Sequence, residues 1–491
     1  MAAVYSAGLA LGAAAPASAE TLAEAIALAY DSNPSLQAQR ATQRALDENW
    51  VQARSGYRPT VTLQGNFNYN EFRTPGSARL EDIDGDGQLE VLNGKREENS
   101  ASATLGLTQP IYTGGRVAAA VSAAEADIFA GREALRRTEA SVMQSVIQAY
   151  ADTRRDQEGL RIREENVRVL QRQLDESKAR FDVGEITRTD VAQSEARLAA
   201  AEAQLSQAQA QLASSRATYA AVVGQNPGDL AAEPPLADLL PADIAQAFEA
   251  AEQNNPQIRQ AEYTQQGSRA RLAAAKAEHM PNLGLSSSVA YGGTADPWAG
   301  EDATRTFRAG ATLTVPLFTG GLTSSRVRAA TERNNADRIN VEVARRSVMQ
   351  SLTQAWNQHL ASRANIVSTE QQVKAAKIAA EGTHQEQQVG LRTTLDVLNA
   401  EQELRNAELS QVTARRDEFV ATSLVLAQMG RLEAPMLDVS VTRYDPAANF
   451  KSNRVTWGWV PWEEPIALVD GVLTPKTVEK PIAPQPPAAP K

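Results

Sequence analysis

The stretch "VGEITRTDVAQSEARL", Val183 to Leu198, returns as "VGLRTTLDVLNAEQEL", Val389 to Leu404, with seven of its sixteen positions unchanged and a step of 206 residues (389 − 183). "SVMQS" occurs at 141–145 and again at 347–351, the same 206 apart. Gly114-Gly115 in "QPIYTGGRV" is answered at that step by Gly320-Gly321 in "VPLFTGGLT". Upstream the step is 222, with Asn33-Pro34 answered by Asn255-Pro256 and Pro59 by Pro281. The first copy therefore carries 16 extra residues (222 − 206) between Pro59 and Pro110. A fixed step over such a span means a tandem duplication, so whatever this chain folds into, it builds twice.

Each copy reads in the same order. A short helix stops at Asn-Pro, because proline drives the residue before it out of the helical region. A second helix runs to Tyr57 in one copy and His279 in the other. Two strands follow, at about 59–70 and 99–111, then at about 281–291 and 305–318. After each Gly-Gly a helix of about 65 residues starts, about 100 Å long at ~1.5 Å per residue. The long helices are placed at about 115–182 and 321–388, the return helices at about 187–223 and 393–430. The first repeat is thus 20–235 and the second 236–435, followed by a segment 436–474 and a Pro-rich tail 475–491 expected to be disordered.

The long helices carry heptads. Leu160, Val167, Leu174 and Phe181 are seven apart, as are Val191, Leu198, Leu205, Leu212 and Tyr219. Such a repeat drifts on a straight helix and favours left-handed supercoiling against a neighbour. Aromatic residues make up only 5% of the chain, a composition suited to close helix packing through small side chains. On this evidence alone a soluble coiled-coil scaffold is a full alternative.

The strands alternate. In 60–70, Val61, Leu63, Phe67 and Tyr69 share one face, and Thr60, Thr62, Gln64, Asn66 and Asn68 the other. In 306–316, Phe307, Ala309, Ala311, Leu313 and Val315 oppose Thr306, Arg308, Thr312 and Thr314. Each segment has about 10 residues, the length of a tilted transmembrane strand. In lipid an open sheet edge costs several kcal/mol per unpaired group, and about eight strands are the usual minimum for a closed barrel. Four cannot close alone, so several chains would share one barrel with the polar faces lining water. A soluble sandwich, its apolar faces packed on each other, is the other reading.

Residues 2–19 carry no charge, and Ala17-Ser18-Ala19 fits the small-x-small pattern ahead of a cleavage point, so 1–19 reads as a secretory signal. With no cysteine, disulfides, thiolate metal sites and cysteine nucleophiles are excluded, and a lipidated N-terminal Cys is not expected. The net charge of −10 argues against nucleic acid as a partner. There is no phosphate-binding Gly loop and no nucleophile elbow. His279, His359 and His384 lie on separate segments without metal-ligand spacing.

A signal peptide, a duplication, two strands per copy, coiled-coil hairpins, the "YTGG"/"FTGG" turns and the "VGxxTxxDV" turns together resemble the TolC-like outer-membrane factor family. The resemblance covers about residues 20–435 and implies a mostly α fold with a transmembrane β-barrel. The implied assembly is a homotrimer with a shared twelve-stranded barrel in outer-membrane lipid and a periplasmic helical tunnel. It further implies a non-enzymatic export duct working with a periplasmic adaptor and an inner-membrane transporter. The segment "RYDPAANFKSNRVTWGW" (443–459) is similar to the C-terminal part of type I secretion members, which favours an ABC transporter and protein cargo. Multidrug efflux, with an RND pump, is the alternative.

Gly184 and Gly390 suit helix C-termini. Thr187 with Asp190, and Thr393 with Asp396, suit a capping box on the return helix. Capping alone explains the repeated Asp. The resemblance implies a second role in a periplasmic gate. Asp396 would belong to an acidic ring, while Asp190 and Arg392 would link neighbouring hairpins. Asn399 stands where a second ring Asp is found in the family, and Gln387 replaces a Tyr of the link. Arg308, on a polar strand face, is expected to face the lumen, or else to sit solvated at a rim.

The insertion holds "DIDGDGQLEVLN". Asp82, Asp84 and Asp86 with Gly87, and Glu90 at the ninth position, match an EF-hand-type loop and are candidate calcium ligands. Asn93 sits where the bidentate Glu belongs, and a solvated acidic loop is the competing reading.

Overall fold

The computed structural model describes residues 19–73, 79–81, 90–92, 95–294, 303–433, 443–453 and 461–473. The expected signal segment up to Ser18, Asp82, Asp84 and Asp86, and the tail from 474 on lie outside the described residues.

The first repeat comprises α1 (Leu22–Ser32), α2 (Pro34–Arg54), β1 (Thr60–Arg73), β2 (Arg79–Glu81), β3 (Glu90–Leu92), β4 (Lys95–Tyr112), α3 (Arg116–Asp182) and α4 (Arg188–Val223). The second comprises α5 (Ile244–Asn254), α6 (Pro256–Ala277), β5 (Asn282–Thr294), β6 (Thr304–Thr314), α7 (Leu322–Gln388) and α8 (Thr394–Gln428). Two short helices follow, α9 (Pro446–Asn453) and α10 (Glu463–Leu473). The short β2–β3 hairpin, with Glu90 as the first residue of β3, is not signalled by the sequence pattern. β1 and β4 also reach further than the alternation indicates, pairing out to Arg73↔Lys95.

Asn33 and Asn255 explain the helix breaks. Each closes one helix with its backbone and opens the next with its side chain, Asn33 Oδ1 accepting from the Ser35 amide at 3.0 Å and Asn255 Oδ1 from Gln257 at 2.8 Å. Proline follows at the first helical position, where its missing N–H costs nothing.

The core is also built twice. Leu36, Val146, Tyr219 and Val223 meet in one cluster; Ile258, Leu352, Val425 and Met429, their counterparts at steps of 222, 206, 206 and 206, meet in the other. Each fully buried Leu or Ile contributes about 2 kcal/mol. Below these clusters the α3/α4 and α7/α8 hairpins run on as coiled coils. Near the tips Leu170, Leu174, Leu198 and Ala201 pack with Leu398, joining the hairpins of the two repeats. No helix among the described residues is long and apolar enough to cross a membrane.

Candidate functional site

Two parts of this fold can act on a solute: the sheet and the hairpin tips. The sheet has the order β1-β4-β5-β6, every pair antiparallel, with β1 and β6 as its edges. Directly paired residues share a face. The register therefore places Leu63, Leu105, Val289 and Phe307 in one row across the sheet, and Leu285 with Ala311 in another on that same side. The opposite face carries Thr62, Gln64, Asn66, Thr104, Ser102, Ser286, Ser288 and Thr312. Arg308 pairs with Ser288 and stands on that polar face. Val61, Leu63, Phe67, Phe307 and Leu313 are all exposed, so among the described residues nothing packs on this face as a sandwich would.

The junction below the sheet differs between the repeats. Gly114 and Gly115 hold positive φ, which allows the sharp turn into α3. A Cβ on Gly114 would collide with Met280, so this turn is covered by the end of the α6 region. The second turn is bare: nothing lies within 4 Å of a Cβ on Gly320 or Gly321, and Phe318 is 90% exposed.

At the tips, Gly184 and Gly390 take φ of 76° and 79°. Thr187 and Asp190 form a reciprocal capping box, as do Thr393 and Asp396. Hydrogen bonds from Thr187 hold the Asp190 carboxyl below the usual carboxylate range. Those from Thr393 do the same for Asp396. Within the protomer Arg392 pairs with Glu386 at 2.9 Å, which raises its own pKa and leaves Asp190 to Thr187. Gln387 is buried and donates to Thr394 Oγ1 at 3.4 Å.

Sequence reasoning missed one contact. Arg197 Nη2 donates to Asn399 Oδ1 at 2.9 Å, bridging α4 to α8. No local signal marks it, since the partners are 202 residues apart. Val183, Val389 and Leu391 leave an apolar surface exposed at the tips.

The outer membrane efflux protein family matches residues 25–225 and 247–423, one span in each repeat. The chain belongs to the outer membrane efflux protein family. The outer membrane efflux protein BepC of Brucella suis is 34% identical over 442 residues, covering 89% of this chain and 91% of that protein. The outer membrane protein TolC of Vibrio cholerae is 28% identical, covering 86% and 93%. The alkaline protease secretion protein AprF of Pseudomonas aeruginosa is 25% identical, covering 73% and 74%. Among solved structures, the outer-membrane channel OprN superposes with a TM-score of 0.70 at 21% identity, over 83% of this chain and 89% of that one. The open state of the Neisseria gonorrhoeae MtrE channel superposes with a TM-score of 0.67 at 21% identity, over 84% and 90%.

Family membership places the chain in the outer membrane of a Gram-negative bacterium as an export channel reaching into the periplasm. The two-faced sheet is then the membrane part, with its apolar side toward lipid and its Ser/Thr/Asn side toward water.

Proposed function

We propose that three copies of this chain close one twelve-stranded barrel (3 × 4) above one helical tunnel, and that this duct exports polypeptides. The observation that carries the assembly is the bare second turn. Met280 covers Gly114; its counterpart one repeat earlier is Arg58 (280 − 222), and the counterpart of Gly114 is Gly320 (114 + 206). A neighbouring copy brings its own Arg58 region to Gly320 and pairs its β1 with the open β6. The internal pair Gly106↔Ser288 fixes the register of that seam as Thr312 (106 + 206) opposite Asn66 (288 − 222). Both lie on the polar face, so the repeat rule and the alternation agree.

The test uses the absence of native cysteine. Opposed Cα atoms are about 4.5–5.5 Å apart, within disulfide range. Asn66→Cys with Thr312→Cys is expected to give a covalent trimer on oxidation. Asn66→Cys with Leu313→Cys, which lie on opposite faces, is expected to stay monomeric on a denaturing gel. The reverse pattern overturns the seam.

The exposed Val183, Val389 and Leu391 support a periplasmic adaptor as the tip partner, since apolar surface at a loop tip marks a docking site. The adaptor would connect the duct to an inner-membrane ABC transporter. Asp396 and Asn399 are proposed to ring the closed end, with Asp190 and Arg392 linking neighbouring hairpins. Opening then exchanges the Arg392 and Arg197 contacts for others as the hairpins untwist.

Two observations support protein cargo: the 443–459 segment, and relatives named for protease secretion, AprF and PrtF of Dickeya chrysanthemi. The efflux reading, with an RND pump, is favoured by the name of the 34% identical BepC. Deletion of the gene separates them. Loss of a secreted repeat-type protein with unchanged drug susceptibility supports the first; the opposite supports the second.

A further inference from the structure

The C-terminal segment runs up the side of α2. The Tyr444 backbone amide donates to the Tyr30 hydroxyl oxygen (3.2 Å), and its ring lies against Arg40. Phe450 meets Trp50 edge to face, and Asn449 donates to Asp47 at 2.9 Å. α10 lies at the foot of the sheet. Trp462 Nε1 donates to Gln109 Oε1 at 3.1 Å, and Ile466 packs with Tyr57 and Val117.

α10 is built the wrong way round for water. Two of its three acids, Glu463 and Asp470, point inward. Glu463 is 1% exposed and held by Arg54 (2.6 Å) and Arg58 (3.2 Å). Asp470 is 0% exposed and accepts from the Thr113 amide (2.7 Å), the Thr113 hydroxyl (2.9 Å) and the Gly115 amide (3.1 Å). Ile466 is buried, but Leu468 (66% exposed) and Val469 (44%), with Trp462 just ahead of the helix (47%), face outward beside Glu464. A helix on a water-bathed surface shows the opposite pattern.

Between α10 and the sheet runs an apolar groove of about 950 Å³, lined by Leu107, Leu285 and Ala309 of the lipid-side face together with Trp462 and Ile466. The groove is continuous with the surface that family membership places in the membrane. A tryptophan at its mouth, hydrogen-bonded on one side and exposed on the other, matches the residue type of a membrane–water boundary.

We propose that α10 is an interfacial anchor. Its outward face sinks past the headgroups to the acyl boundary of the periplasmic leaflet, and the groove takes a phospholipid acyl chain. The proposal rests on the membrane barrel and adds to it a contact outside the family's matched spans. Two designs share one experiment on the full chain in phospholipid nanodiscs. Leu468→Cys and, as a reference on the sheet's apolar face, Phe67→Cys each carry a single spin label, which the cysteine-free chain permits. Collision of the label with oxygen and with a nickel chelate is read from power saturation. Oxygen is expected to win severalfold at both positions. Nickel winning at 468 but not at 67 puts α10 in water and overturns the anchor while leaving the barrel intact. Exclusion of both reagents at 468 assigns the face to a second copy and overturns it equally. Nickel winning at 67 overturns the membrane face itself.

Discussion

The side-chain amide of Asn33 donates to the carbonyl oxygen of Val222 at 3.0 Å, and that of Asn255 donates to Gln428 at 2.7 Å. Each Asn thus caps the N-terminus of one helix and ties down the last turn of another, α4 in the first repeat and α8 in the second. Asn33→Ala removes the cap and strands a half-buried carbonyl, an expected loss of about 2 kcal/mol. Asn33→Asp keeps the acceptor and loses only the donor, so its loss is expected to be smaller. Unfolding in detergent checks both, and equal effects would falsify the double role.

Asp470 takes hydrogen bonds from three donors on the "YTGG" turn, and Tyr57 Oη lies 3.3 Å from its other side. Removing one buried acceptor leaves those donors orphaned. Asp470→Ala is expected to cost about 2–4 kcal/mol locally. It should release α10 to protease long before the helical tunnel opens. A cleavage pattern identical to that of the parent chain would count against this.

What could be read from the chain and what could not follow one physical line. Thr187/Asp190 and Thr393/Asp396 act within one turn of helix, so their spacing announces the cap. The heptads of Leu174 and Leu198 announce a hairpin for the same reason, and both are buried at its seam. The second bond of Asn33, the Arg197–Asn399 bridge and the seat of Asp470 join residues 189, 202 and 357 apart. No local period encodes such pairs. β2 and β3 leave no trace in the pattern because three residues are too few to show alternation.

At the tips, Arg392→Ala is expected to raise single-channel conductance in planar bilayers by removing a proposed tie between hairpins. Asn399→Asp acts differently. It adds a carboxylate beside Asp396 and turns the Arg197 hydrogen bond into an exposed ion pair of about 0.2–1 kcal/mol. Cation selectivity should increase, read from the reversal potential under a salt gradient, with conductance little changed. Unaltered conductance in Arg392→Ala removes that residue from the gate.

His359 is buried, with Nδ1 3.0 Å from Thr422 Oγ1 and 3.9 Å from Glu418 Oε1. Burial lowers its pKa against the opposing pull of Glu418. Between the ordinary value of 6.5 and the lower folded value, the unfolded chain holds more protons. Stability is therefore lost as pH falls below 6.5 and is fully present above it. Compared with His359→Gln, the parent chain should show the steeper drop in melting temperature between about pH 7 and pH 5. Parallel curves would assign the acid sensitivity elsewhere.

The duplication has a consequence for stoichiometry. In the proposed trimer, a chain that makes its hairpin twice presents six tips of two alternating kinds, each a socket for a companion protein. One kind carries Glu185 and Ile186 behind its tip glycine, the other Leu391 and Arg392. A companion protein that fits both must tolerate an acid in one socket and a base in the next, whereas one that fits a single kind docks at half the sockets and leaves the alternate ones free.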